Sequence, residues 1–190
     1  MAAGEGSRLR PITETWPKPI LPIDGVPVIV TLVHELAAAA CAPIVVVTGH
    51  LAEQVEAILS PLPYALRFVR QSPGLGSADA VARAKATPPY VVTAADTRYT
   101  PGDLARFVRE AGSADGAIAL HDEHRPPLWL VGERVARFLD PLPGQAPYEL
   151  QDVFQAAIDD GALVSAIQVG RTRDLTTPAD LVRENVPYLR

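Results

Sequence analysis

The chain has 190 residues, long enough to bury a substantial core and read as one domain, with 48% hydrophobic and 21% charged residues. Its formal net charge is −5 and it has no run of Lys or Arg, which excludes nucleic acid and anionic membrane as main partners, since both need a basic face. A single cysteine, Cys41 in an Ala-rich apolar stretch, excludes an internal disulfide and a cysteine-based zinc site.

No apolar run is long enough to span a membrane and no signal peptide is visible, so a reducing cytoplasm is the expected compartment. The chain opens on Met1-Ala2-Ala3-Gly4-Glu5-Gly6, a glycine-rich stretch with no strand ahead of it, although such loops normally hang between a strand and a helix. Residues 27–40 are mostly apolar and predict a helix, and the β-branched run at 44–49 predicts a buried parallel strand. A short amphipathic helix is expected at 51–59, a strand at 65–70, and a helix at 76–86 opened by Gly76-Ser77 as N-cap. The strand at 90–96 ends on Asp96, and a helix with Pro101 near its first turn follows to residue 111. Strands at 116–120, 128–132 and 163–170 frame helices near 133–139 and 149–160, and a last helix starts at Pro178. Strands alternating with helices imply an α/β fold of Rossmann-like type, a mostly parallel sheet with helices on both faces.

In the opening loop, Gly4 and Gly6 let backbone N–H groups approach an anion, Ser7 adds a hydroxyl, and Arg8 and Arg10 offer planar guanidinium groups suited to phosphate oxygens. Pro17 and Pro19 bracket Lys18 and are expected to hold it in an extended segment. A glycine-rich turn with solvated basic residues is the plainer alternative, and Leu9 breaks the dinucleotide Gly-x-Gly-x-x-Gly pattern.

The whole run, Gly4-x-Gly6-Ser7-Arg8-Leu9-x-Pro11 followed by Pro17-Lys18-Pro19-Ile20-Leu21-Pro22-Ile23, resembles the signature of sugar-1-phosphate nucleotidyltransferases. The resemblance implies that Ala3, Gly4, Gly6 and Ser7 wrap the phosphates of a nucleoside triphosphate (NTP), with Arg8 and Lys18 in catalytic roles. Molybdopterin nucleotidyltransferases have a related loop with the lysine closer to the arginine; here the two are ten positions apart, which favours the sugar branch. Gln71 to Ala80 resembles the family's base-reading segment, with Gln71, Gly76 and Ser77 at the nucleobase, although alone it reads as a strand, a turn and a helix cap. Asp96 lies at a strand's carboxyl end, where ligands sit in open α/β sheets, and resembles the family's Mg²⁺ ligand. Asp174, before the turn into the last helix, resembles a second one. Asp180 fits that helix's first turn and a structural role. Glu149 resembles a sugar-pocket residue, and helix capping explains it equally well.

The resemblance thus covers almost the whole chain and implies transfer of a nucleotidyl group from an NTP to a sugar 1-phosphate, with Mg²⁺ as cofactor. A nucleotide-binding module with weak or regulatory function is the competing expectation. Two departures stand out. The family's first strand would be central in the sheet, and Met1 stands where relatives carry Leu or Met within it, so a start placed too late or a truncation is expected, leaving neighbouring backbone unpaired. Relatives also carry a lysine for the sugar phosphate in mid-chain, but this chain has only Lys18 and Lys85, so Arg125, Arg134, Arg171 or Arg173 is expected to replace it. His121-Asp122-Glu123-His124 reads as a solvated loop and Trp16 and Trp129 as packing residues. The base, the sugar and the oligomeric state, a homo-oligomer included, are left open.

Overall fold

A computed structural model describes residues 1–186. In chain order the elements are β1 (Pro22–Ile23), β2 (Val26–Pro27), α1 (Val28–Ala38), β3 (Ile44–Thr48), α2 (Ala52–Leu59), β4 (Leu66–Arg70), α3 (Ser77–Ala84), β5 (Tyr90–Thr93) and β6 (Thr97–Arg98). They continue with α4 (Asp103–Ala111), β7 (Gly116–Leu120), β8 (Leu128–Val131), α5 (Glu133–Ala136), α6 (Leu150–Asp159), β9 (Val164–Gln168), β10 (Arg173–Asp174) and α7 (Pro178–Arg183).

The main sheet runs β5-β8-β7-β9 and a second pair, β3-β4, lies parallel beside it. Within the main sheet β8 is antiparallel to both β5 and β7, while β7 and β9 are parallel. Only residues 121–127 join β7 to β8, too few for the crossover that a parallel pair requires. His121 and His124 close this link as a tight turn, their backbones bonded at 2.9 and 2.8 Å. The main sheet is therefore mixed rather than mostly parallel: β5, β7 and β9 run one way and β8, between β5 and β7, runs the other.

Period-two alternation builds a core on each face. Leu128 and Leu130 of β8, with Ala117 and Ala119 of β7, pack with Leu32, Leu36, Leu104 and Phe107 of α1 and α4. Their sheet neighbours Trp129, Val131 and Ile118 turn to the other face, against Val81, Val135, Val153 and Phe154 of α3, α5 and α6. β3 divides likewise, with Val46 toward α1 and α2 and Val45 and Val47 toward Ala80 and Ala84 of α3. Trp129 thus packs in the core, as expected, whereas Trp16 is 55% exposed.

Among the described residues, only Met1 and Ala2 stand between β3 and β5. Ala2 N–H donates to the Val47 carbonyl at 2.7 Å, in a parallel bridge to Thr48. On the other side, the Met1 amine donates to Thr93 O at 2.8 Å and Ala95 N–H donates to Met1 O at 2.8 Å, the pattern of a parallel ladder. Burial pushes this amine down to about 6, with the Asp96 charge pulling the other way. The stretch with no strand ahead of it thus still joins the two sheets, at the carboxyl ends of β3 and β5. Toward the opposite ends of these strands lies an apolar groove of about 540 Å³, lined by Val45, Val46, Val91, Val92, Leu36 and Val81 among others.

Candidate active site

At the carboxyl end of the sheet, the opening loop, Lys18 and Asp96 line one cavity of about 330 Å³. Gly6 sits at φ +62°, and a Cβ there would meet Thr13 Cγ2 at 3.0 Å and Lys18 Cβ at 3.2 Å, so both the turn and the close approach require glycine. Thr13 Oγ1 and Leu9 N–H both donate to the Gly6 carbonyl, at 3.0 and 2.9 Å, which holds the loop in a tight turn. Buried Leu9 anchors it against Leu21, Ile23, Val28 and Leu175. Gly4, Gly6, Ser7 and Arg8 line the cavity; Ala3 lies beside it, its carbonyl accepting from His50 N–H at 3.4 Å. Arg8 is exposed and makes no ion pair among the described residues, whereas Arg10 turns outward to Glu5 at 3.1 Å.

Lys18 corrects one expectation. Only Pro17 is extended; Lys18 itself begins a 3₁₀ turn, Lys18–Ile20, and its ammonium lies 2.5 Å from Asp96 Oδ2. The Lys18 side chain is 12% exposed and that of Asp96 28%, so the pair is largely shielded from water and its attraction only partly screened. Lys18 is thus held by the carboxylate expected to hold a metal.

Asp174 is brought close by the backbone. Antiparallel β6 and β10 place it opposite Thr97, next in sequence to Asp96. Its side chain is exposed and takes a hydrogen bond from Thr176 Oγ1 at 3.1 Å, and the cavity is lined by Leu175 and Thr176 rather than by Asp174 itself. No group of three or more His, Cys, Asp or Glu side chains is gathered for a metal among the described residues. A divalent cation here would have two protein carboxylates at most and must complete its shell with substrate phosphates and water, the coordination Mg²⁺ favours.

Behind the β6–β10 ribbon, Arg173 donates bidentately to Asp24 at 2.7 and 2.9 Å and to Glu184 at 2.6 Å. The Arg173 hydrogen bond holds Asp24 below its usual pKa, against a burial effect and with the Arg173 and Arg98 charges assisting. Asn185 adds a lock, accepting from Gly25 N–H at 2.9 Å and donating to Pro22 O at 2.8 Å. Asp180 and Thr177 form the capping box of α7, the structural role expected of Asp180. Arg173 is thus engaged away from the cavity, as is Arg134, which donates to the carbonyls of Asp160 and Gly161. Arg125 and Arg171 are exposed, and neither lines the cavity.

The segment expected to read a base is tied to the start of α6. Gly76 is at φ +104°, and a Cβ there would fall 2.2 Å from the Tyr148 carbonyl. Ser77 does not cap its own helix. Its hydroxyl donates to Glu149 Oε2 at 2.5 Å and accepts from Leu150 N–H at 2.8 Å, so it caps α6 instead. Glu149, at the N-cap of α6, is bound to Ser77. Gln71 is buried, with its backbone N–H on the Thr48 carbonyl at 2.8 Å. The Asp79–Arg83 pair that holds its side chain went unread in the sequence, although an acid and a base four apart on a helix was the available signal.

The family model for a MobA-like NTP transferase domain matches residues 1–161. Among curated proteins, a 2-aminoethylphosphonate cytidylyltransferase of Lancefieldella rimae is 46% identical over 54 residues, 28% of this chain and 22% of the relative. A low-salt glycan biosynthesis nucleotidyltransferase of Haloferax volcanii is 32% identical over 135 residues, 66% of this chain and 38% of the relative. The chain thus spans well under half the length of these curated relatives. A Bacillus anthracis structure assigned as a glucose-1-phosphate thymidylyltransferase superposes with a TM-score of 0.86 at 19% identity, covering 98% of this chain and 92% of that one, which shows a shared fold.

Proposed function

The chain belongs to the MobA-like NTP transferase family, and we propose that it transfers a nucleotidyl group from an NTP to a sugar 1-phosphate, releasing pyrophosphate. The observation that carries this reading is the convergence of Gly4, Gly6, Ser7, Arg8, Lys18 and Asp96 on one cavity at the strand ends. An oxygen of the acceptor phosphate attacks the α-phosphorus as the bond to the β-phosphate bridging oxygen breaks. The acceptor needs no protein nucleophile, because a phosphate with a second pKa of about 6 is ionised at neutral pH. The loop's backbone and Ser7 orient the triphosphate, and Arg8 and Lys18 offset charge on the α-phosphate and the leaving pyrophosphate. Asp96 and Asp174 are the residues for Mg²⁺, which when bound neutralises phosphate charge and polarises the phosphoryl group. With Asp96 on a cation, the Lys18 ammonium would be free to meet a phosphate oxygen. We read the chain as a single cytoplasmic domain; among the described residues no helix is long and apolar enough to cross a membrane.

The test is pyrophosphate release with Mg²⁺, each NTP and a panel of sugar 1-phosphates. Turnover that survives Asp96→Asn sinks the assignment. A nucleotide-binding module is the second reading, favoured by the lack, among the described residues, of any side-chain cation beyond Arg8 and Lys18 lining the cavity. NTP binding without pyrophosphate release in the wild type supports it.

A further inference from the structure

The amide and carbonyl groups of the opening loop are used unequally. Among the described residues, the N–H groups of Gly4, Gly6, Ser7 and Arg8, four residues that line the cavity, have no backbone acceptor. The Gly6 carbonyl, in contrast, is filled twice, by Leu9 N–H at 2.9 Å and by Thr13 Oγ1 at 3.0 Å. The Ala3 carbonyl is taken by His50 N–H at 3.4 Å. Unspent donors beside filled carbonyls suit an anion, because a free carbonyl at the same place would repel it.

Thr13 is held in turn from the far side of the sheet's end. It is 1% exposed, and its carbonyl accepts from His50 Nε2 at 2.7 Å. A backbone carbonyl only accepts, so the ring must carry its proton on Nε2. In the first turn of α2, Gln54 Nε2 donates to the Thr15 carbonyl at 2.9 Å. His50 and Gln54 thus grip the turn at residues 12–16 from the corner between β3 and α2. His50 itself does not line the cavity.

We propose that His50 is a positioning residue for the phosphate loop. Its Nε2 donor holds the Thr13 carbonyl, which keeps the Thr13 hydroxyl on Gly6 O. The filled Gly6 carbonyl leaves the N–H groups of Gly4, Gly6, Ser7 and Arg8 to phosphate oxygens. The proposal deepens the nucleotidyl-transfer reading, from which it takes its ligand, a polyphosphate chain.

The experiment titrates inorganic pyrophosphate into the wild type, His50→Phe, His50→Gln, Thr13→Val and the double variant His50→Phe/Thr13→Val, with nucleotidyl turnover followed in parallel. Phe keeps a ring without a donor, Gln carries an N–H at the reach of Nε2, and Val keeps the shape of Thr13 without its hydroxyl. His50→Phe and Thr13→Val should each weaken pyrophosphate roughly tenfold, and His50→Gln should stay within about twofold of the wild type. The double variant should bind no more weakly than either single one, since the same relay is broken twice. Unchanged affinity in His50→Phe, no rescue by His50→Gln, or losses that add in the double variant mark a merely structural contact and overturn the proposal. A wild type that binds no pyrophosphate overturns it as well. The wild type alone supplies a second readout should a variant fail to fold: nitrogen NMR in alkaline buffer should show the His50 ring protonated at Nε2, and an Nδ1–H ring overturns the proposal. The expected binding pattern in a wild type that shows no turnover supports the loop proposal and overturns nucleotidyl transfer alone.

Discussion

Met1 lines both the phosphate cavity and the apolar groove, yet these two spaces on either side of it are built on different terms. In the cavity the backbone is paired through Ala2 and Ala95, and charged groups converge, with Lys18 on Asp96 at 2.5 Å. In the groove the facing stretches of β3 and β5 are joined by no named ladder among the described residues, and the walls are Val and Leu. The difference teaches where the two functions of the sheet separate. Ligand chemistry needs only the carboxyl ends of the strands, where loops emerge and a single bridge between β3 and β5 suffices to set geometry. Cohesion between the two sheets needs the full strand length, and there the molecule relies on side-chain packing from α1 and α3.

The largest expected effect breaks the cavity side. Lys18→Ala or Asp96→Asn should lower kcat by roughly 10²- to 10⁴-fold in the pyrophosphate assay. Each should also cost stability by stranding a shielded partner charge, so the double variant should be less destabilised in urea than the sum of the two singles. The groove side is sharpened by side-chain truncation. Val46→Ala and Val92→Ala, which enlarge the groove, should each lower Tm by several degrees. Both should leave the wild-type KM for NTP unchanged, and an unchanged Tm would show that the groove walls add no cohesion between the sheets.

Smaller effects are expected behind the β6–β10 ribbon, which carries Asp174. Arg173→Ala, which leaves Asp24 to Arg98 and Glu184 to Arg183, should raise the Mg²⁺ concentration needed for half-maximal rate a few-fold and cost roughly 1 kcal/mol by chemical denaturation, the clamp being partly exposed. The smallest effect is in pH. Asp24 is held below its ordinary carboxylate value in the folded chain, so its contribution is present above the unfolded pKa and lost as pH falls through the folded one. Acid unfolding below about pH 4 should therefore flatten in Asp24→Asn, whose starting stability is lower.

Much of the fold was legible because periodicity reports directly on burial. The continuous apolar run of β8 and the β-branched run of β3 mark strands covered on both faces, and the observed elements fall within a few residues of those expected. The direction of β8 was legible too, since residues 121–127 cannot hold a crossover, but it takes a count of linker length rather than a reading of pattern. Hydrogen-bond partners were not legible. Ser77 is an acceptable cap for its own helix by every local rule, and only the approach of Leu150 N–H makes it a cap for α6.

By itself the sequence determined the layered α/β class and the tight glycine turn of the opening loop, because these depend on local conformation and short spacing. Tertiary structure alone decided that Lys18 rests on Asp96, that Arg173 is spent on Asp24 and Glu184, and that Gln71 is locked by Asp79. The sequence reading expected the backbone beside the opening loop to be left unpaired. The fold shows that two residues, Met1 and Ala2, still close the sheet at the functional end. The reason is physical in each case: a charged or amide side chain has several partners of equal chemistry in the sequence, and only packing chooses among them.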